Sequence, residues 1–74
     1  MQEQQYRRGD IIYRQGEAAH AVYRIKEGWV ELVDLFNEGD TRQLAAGARF
    51  GDADEHHPYP ETAIAKTDLV VEIL

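Results

Sequence analysis

Four of the fourteen acidic side chains of this 74-residue chain fall in one stretch, Asp52, Asp54, Glu55 and Glu61, with His56 and His57 side by side among them and His20 far upstream. Carboxylates set this close can raise one another's pKa by like-charge repulsion, which is what general acid–base catalysis exploits. The same stretch reads more simply as an acidic, solvent-exposed turn. No other motif completes a catalytic set. There is no Ser/His/Asp arrangement, no glycine-rich phosphate loop and no strand–helix–strand nucleotide unit. Enzymatic activity is therefore not expected. Neighbouring histidines diverge by about 100° on a helix and point to opposite faces on a strand, so His56 and His57 do not readily chelate one ion. No metal site is expected.

Charge and composition exclude further classes. Fourteen acidic residues against eight basic ones leave a net charge of −6, and residues 51–74 hold six of the acids but only one base, Lys66. Nucleic-acid binding needs lysine and arginine to neutralise phosphates, so it is not expected here. Without cysteine there is neither a disulfide framework nor a thiolate chemistry. The longest aliphatic runs, such as Leu69-Val70-Val71, are three residues, far short of a membrane span. Met1-Gln2-Glu3-Gln4-Gln5 lacks the basic-then-apolar pattern of a signal peptide, and a cytoplasmic location is the expectation. A chain this short buries only about 60% of its unfolded surface, which sets a single domain over residues 1–74 as the expectation.

The elements that must position these side chains are strands. Turn signals recur at Gly9-Asp10, Gly16, Gly28, residues 37–40, Gly47, Gly51 and Pro58-Tyr59-Pro60, separated by short runs rich in Val, Ile, Tyr and Leu. Such punctuation predicts an all-β sandwich or barrel. The clearest pair is Ala21 to Ile25 with Trp29 to Phe36. Ile11 to Tyr13, Gln43 to Ala45, Thr62 to Ala65 and Leu69 to Leu74 supply the rest. In the second strand Val30 and Leu32 share one face, and Trp29, Val33 and Leu35 share the other. One face should be core; the other invites cover by a second copy of the chain, a homodimer through Trp29, Val33 and Leu35. At most one short helix is expected, near 52–57, where acids suit a helix start.

The glycines and their neighbours form a series: Gly9-Asp10-Ile11-Ile12, Gly16-Glu17-x-Ala19, Tyr23-x-Ile25-x-x-Gly28-x-Val30-x-Leu32, Gly47-x-x-Phe50-Gly51-Asp52 and Pro60-x-Thr62-Ala63-x-Ala65. In this order and spacing, over residues 6–74, it resembles the cyclic nucleotide-binding domain family. That is the small jelly roll of catabolite-activator-type regulators, kinase regulatory subunits and nucleotide-gated channels. The resemblance implies a double-stranded β-helix and a non-catalytic sensor or regulatory module. It also implies a ligand segment in which a glutamate accepts a hydrogen bond from the ribose 2′-hydroxyl and an arginine pairs with the cyclic phosphate. A short helix after the glycine offers its amides to that phosphate. Carried onto this chain, Gly51 keeps the glycine, Asp52 takes the glutamate position, and Thr62 and Ala63 keep their places. The arginine position falls on Glu61.

That exchange reverses a charge. At ~4 Å and an effective dielectric near 20, one unit-charge pair is worth about 4 kcal/mol. Arginine also brings a bidentate fork that glutamate lacks. Asp52 is a methylene shorter than glutamate, and Ala53-Asp54-Glu55-His56-His57 carries no apolar side chain larger than Ala53 to pack a helix on the barrel. Binding of cyclic AMP or cyclic GMP in the usual mode is thus expected to be weak or lost, unless Arg42, Arg49 or Lys66 compensates. If binding is retained, Phe50, Gly51, Asp52, Ala53, Glu61, Thr62 and Ala63 should line the pocket, with Thr62 and backbone amides on the phosphate. Alternative readings are a genuine cyclic nucleotide-binding regulator, a metal-binding protein of the cupin kind, and a structural dimerisation module. Cupins share the jelly roll, but their His-x-His pair followed by a later Glu and His is missing here.

Overall fold

Strand formation follows the apolar alternation, and the computed structural model describes residues 2–37, 40–54 and 56–74. Glu55 of the acidic stretch, and Glu38 and Gly39 of the turn over 37–40, lie outside the described residues. Eight strands are present: β1 (Gln2–Tyr6), β2 (Ile11–Tyr13), β3 (Ala21–Glu27), β4 (Val30–Val33), β5 (Thr41–Leu44), β6 (Arg49–Asp52), β7 (Thr62–Ala65) and β8 (Leu69–Ile73). They form two four-stranded sheets in the orders β1-β8-β3-β6 and β2-β7-β4-β5, with every pairing antiparallel. This is the expected all-β jelly roll. Each sheet draws strands from both halves of the chain.

Register places the side chains. Tyr23 and Ile25 on β3 stand opposite Ile73 and Val71 on β8, and Tyr23 also faces Phe50 on β6. In the other sheet Val30 and Leu32 face Ala65 and Ala63. These inward residues are buried, together with Tyr13, Ala19, Ala21, Tyr59 and Leu69. Removing such apolar area from water stabilises the fold by roughly 25 cal/mol per Å². The outward rows are charged. Arg24 donates to Glu72 at 2.8 Å, and Lys26 pairs with Glu3 at 2.9 Å.

Two strands escape the sequence pattern. β1 is Gln-Glu-Gln-Gln-Tyr, nearly all exposed, and is held by its backbone ladder to β8 from Gln2↔Ile73 to Tyr6↔Leu69. β6 runs through Gly51, which the sequence marks as a turn. Gly51 instead sits within the strand at φ +95°, and a Cβ there would lie 2.6 Å from the Ala21 carbonyl oxygen. Its lack of a side chain serves a close approach between strands rather than a corner. Conversely, β4 stops at Val33, short of Phe36. The Asp34 carboxylate accepts hydrogen bonds from the Phe36 amide and the Asn37 side chain, turning the chain away from the sheet. Over 52–57 the described residues form a single turn, His57 N–H to Asp54 C=O at 2.9 Å, and no helix.

Candidate functional site

A cavity of about 250 Å³ opens at the end of the sandwich where β6 leaves the first sheet and β7 enters the second. It is lined by Tyr13, Leu32, Arg42, Leu44, Arg49, Phe50, Gly51, Pro60 and Glu61. The pairing explains its polar pair. Arg42 on β5 stands opposite Leu32 on β4, and Leu32 stands opposite Ala63 on β7. Directly opposed residues share a face, so Arg42 occupies the inward row. Glu61, two residues before Ala63, extends that row by strand alternation. The two meet. Arg42 Nη2 donates to Glu61 Oε1 at 2.8 Å, with the glutamate side chain 17% exposed and the arginine 61%. The Glu61 carboxylate holds the Arg42 guanidinium above its ordinary pKa, chiefly through that hydrogen bond.

Of the three bases weighed as compensators for Glu61, only Arg42 reaches it. Arg49 borders the cavity, but its register partner is Arg24 of the outward charged row. Lys66 lies at the far end of the sandwich, with Arg8, Thr67 and Asp68 around an open hollow of about 580 Å³. A further open hollow there, about 530 Å³, is bordered by Gln5 to Arg7, Asp10, Glu27 and Asp68 to Val70. Neither is walled by apolar side chains on several sides, as a small-ligand site requires.

The other residues carried over from the family motif divide. Phe50 is buried beneath the cavity, with its ring 5.2 Å from that of Tyr23 and 6.0 Å from that of Tyr13. Asp52 stands opposite Ala21 on the inward row, half-buried, and its Oδ1 accepts the Asp54 amide at 3.0 Å. Ala53 is exposed, and Ala63 is fully buried behind the cavity wall. Thr62 stands opposite Val33 on the other row, and its Oγ1 accepts the Gln15 amide at 3.0 Å. Its hydroxyl is committed away from the cavity. Three amides after Gly51 are also engaged: Asp54 N–H by Asp52, His56 N–H by the Asp54 carboxylate, and His57 N–H by the Asp54 carbonyl. The Asp52 and Asp54 carboxylates thus take two of the amides of this segment.

Sequence reasoning passed over Tyr13 and Tyr59. Tyr59 is buried between two exposed prolines and stacks on Tyr13 with ring centroids 3.7 Å apart. Its hydroxyl accepts the His20 and Ala21 amides at 3.2 and 3.3 Å, tying the segment before β7 to the start of β3. The Pro-Tyr-Pro sequence hinted at this, because prolines flanking one aromatic leave only that ring to anchor the loop. Among the described residues no three His, Asp or Glu side chains come together as a metal-holding group. His57 Nδ1 lies 2.9 Å from Asp54 Oδ2, and His20 Nδ1 lies 3.2 Å from the Ala18 carbonyl. Among the described residues no helix is long and apolar enough to cross a membrane.

Two four-stranded antiparallel sheets with a small cavity beside β6 and the start of β7 define the class of fold. The cyclic nucleotide-binding domain model matches residues 3–74. The transcriptional regulator LdrP of Thermus thermophilus is 38% identical over 71 residues, covering 90% of this chain and 36% of that protein. The chain thus spans about a third of the length of the curated relative it matches. The regulatory subunit of a cAMP-independent protein kinase A from Trypanosoma brucei superimposes with a TM-score of 0.87 at 26% identity, over 99% of this chain and 27% of that one. The regulatory domain of Toxoplasma gondii protein kinase A, solved with cAMP, gives 0.86 at 25% identity, over 99% and 30%. The chain belongs to the cyclic nucleotide-binding domain family.

Proposed function

We propose that this chain is a non-catalytic regulatory module in which cyclic AMP and cyclic GMP binding of the usual mode is weak or lost. The observation that carries the reading is Glu61, standing where the family's phosphate-binding arginine belongs and ion-paired to Arg42 at 2.8 Å. A cyclic phosphate entering there meets a carboxylate in place of a guanidinium fork. The amides of Asp54 and His56, already bonded to carboxylates of their own segment, act in the same direction. A neighbour of the same fold is the regulatory subunit of a cAMP-independent protein kinase A from Trypanosoma brucei, which supports a reading without cyclic AMP. Should a nucleotide bind, Phe50, Gly51 and Glu61 line its cavity, with Asp52, Ala53, Thr62 and Ala63 next to them in the chain. A cytoplasmic setting fits this role.

Calorimetric titration with cyclic AMP and cyclic GMP tests the reading. Each 1.4 kcal/mol is about tenfold in affinity, so loss of the arginine fork puts any Kd at about 1 mM or weaker. A micromolar Kd for either nucleotide would overturn it.

A second reading, self-association, is supported by exposed apolar side chains. Trp29 and Leu35 are 46% and 66% exposed, with half-buried Val33 between them, and Phe36 beside Leu35 is 86% exposed. Trp29 and Leu35 flank β4 at its two ends, so the larger apolar step is the Leu35-Phe36 turn.

A further inference from the structure

We infer that Glu61 is a built-in anion occupying Arg42, and that the cavity holds a latent site for a small phosphate anion centred on that guanidinium. The inference deepens the reading above and rests on it. Arg42 is on the inward row through its register with Leu32, so its charge is aimed at the cavity rather than along the outer face. Among the described residues its hydrogen-bonding partner is Glu61 alone, through one Nη2 contact, which leaves most of its five N–H donors unused. Asp40 contributes a further, weaker negative field. The carboxylate is the more enclosed member of the pair, and the arginine side chain is the more accessible one. Tyr13, Leu32, Leu44 and Phe50 wall the space beside them with apolar and aromatic surface. An oxyanion of phosphate presents the same geometry to arginine as the Glu61 carboxylate does. The glutamate therefore holds the position of the ligand's charge, and removing that charge frees the fork.

The test is isothermal titration of the wild-type chain, Glu61→Gln, Glu61→Ala and the double variant Arg42→Gln/Glu61→Gln with cyclic AMP, cyclic GMP and inorganic phosphate. Thermal melts run alongside to verify folding. Glu61→Gln and Glu61→Ala are expected to bind at least about tenfold more tightly than wild type, and the double variant to lose that gain. A gain equal for phosphate and nucleotide marks a bare anion site. A larger gain for the nucleotide marks use of the aromatic wall, and either supports the inference. No gain in the folded single variants, or a gain that survives loss of Arg42, overturns it. Micromolar binding of a cyclic nucleotide by the wild-type chain instead overturns the parent reading, so the two failures are distinguishable.

Discussion

The phenol rings of Tyr13 and Tyr59 lie face to face, centroids 3.7 Å apart and planes within 13°, and so join β2 to the loop that delivers Glu61 to the cavity. Tyr59 is 1% exposed. Tyr59→Ala is expected to destabilise the fold by about 3–5 kcal/mol, the range for deleting a buried aromatic ring. Tyr59→Phe keeps the stack but strips the His20 and Ala21 amides of their acceptor, at about 1–3 kcal/mol. Urea unfolding of the two variants should give that order.

Gly51 and Gly9 share a positive φ, +95° and +91°, but differ in their surroundings. A Cβ at Gly9 meets nothing within 4 Å, whereas one at Gly51 meets the Ala21 carbonyl at 2.6 Å. Gly9→Ala should cost only the backbone term, roughly 1 kcal/mol. Gly51→Ala adds a backbone collision and should cost about 3 kcal/mol or more while distorting the cavity floor. Equal melting temperatures for the two would contradict the close approach of β6 to β3.

The pH limits of stability follow from groups at opposite ends of the scale. Hydrogen bonds from Asn37, Gln15 and the Phe36 amide hold Asp34 below its ordinary value, and a hydrogen bond from Arg24 does the same for Glu72. A carboxylate with a depressed native pKa binds fewer protons folded than unfolded. Its stabilisation is present above the ordinary values of 3.8 and 4.5 and is lost as pH falls through the lower native ones. Burial acts oppositely on the phenols: it pushes Tyr23 up to about 12 and Tyr13 higher still. Their contribution is complete below pH 10 and is lost as pH rises from there through the native values. Chemical denaturation across pH should show both limbs. Asp34→Asn should flatten the acid one and leave the alkaline one unchanged.

Self-association through the exposed Leu35-Phe36 turn predicts a melting temperature that rises with protein concentration. Leu35→Ser/Phe36→Ser should abolish that dependence with little change in the monomer's own stability. Sedimentation showing only monomer at the highest attainable concentration would count against the dimer.

Much of the architecture was legible in the chain's own pattern. The alternation Tyr23-x-Ile25 and Val30-x-Leu32 identified inward rows that register then placed opposite Ile73, Val71, Ala65 and Ala63. Strand β1 was not legible, because Gln2 to Gln5 carry no apolar period and are ordered by a ladder to residues nearly seventy positions away. Where at most one short helix was allowed near 52–57 there is a carboxylate-capped turn, since Asp52 and Asp54 offer the local amides better partners than a helix lacking an apolar face.

The site divides along the same line. The resemblance alone sets a carboxylate, Glu61, against the family's arginine position, and its charge is a property of the side chain alone. Which base answers it was decided only by folding. Arg42, Arg49 and Lys66 each carry one positive charge, but the antiparallel register of β5 on β4 turns Arg42 inward beside Glu61, while the other two fall on the outer row and at the far end of the sandwich. A strand's period of two sends alternate residues to opposite faces, and only the pairing between distant segments says which face is the inside.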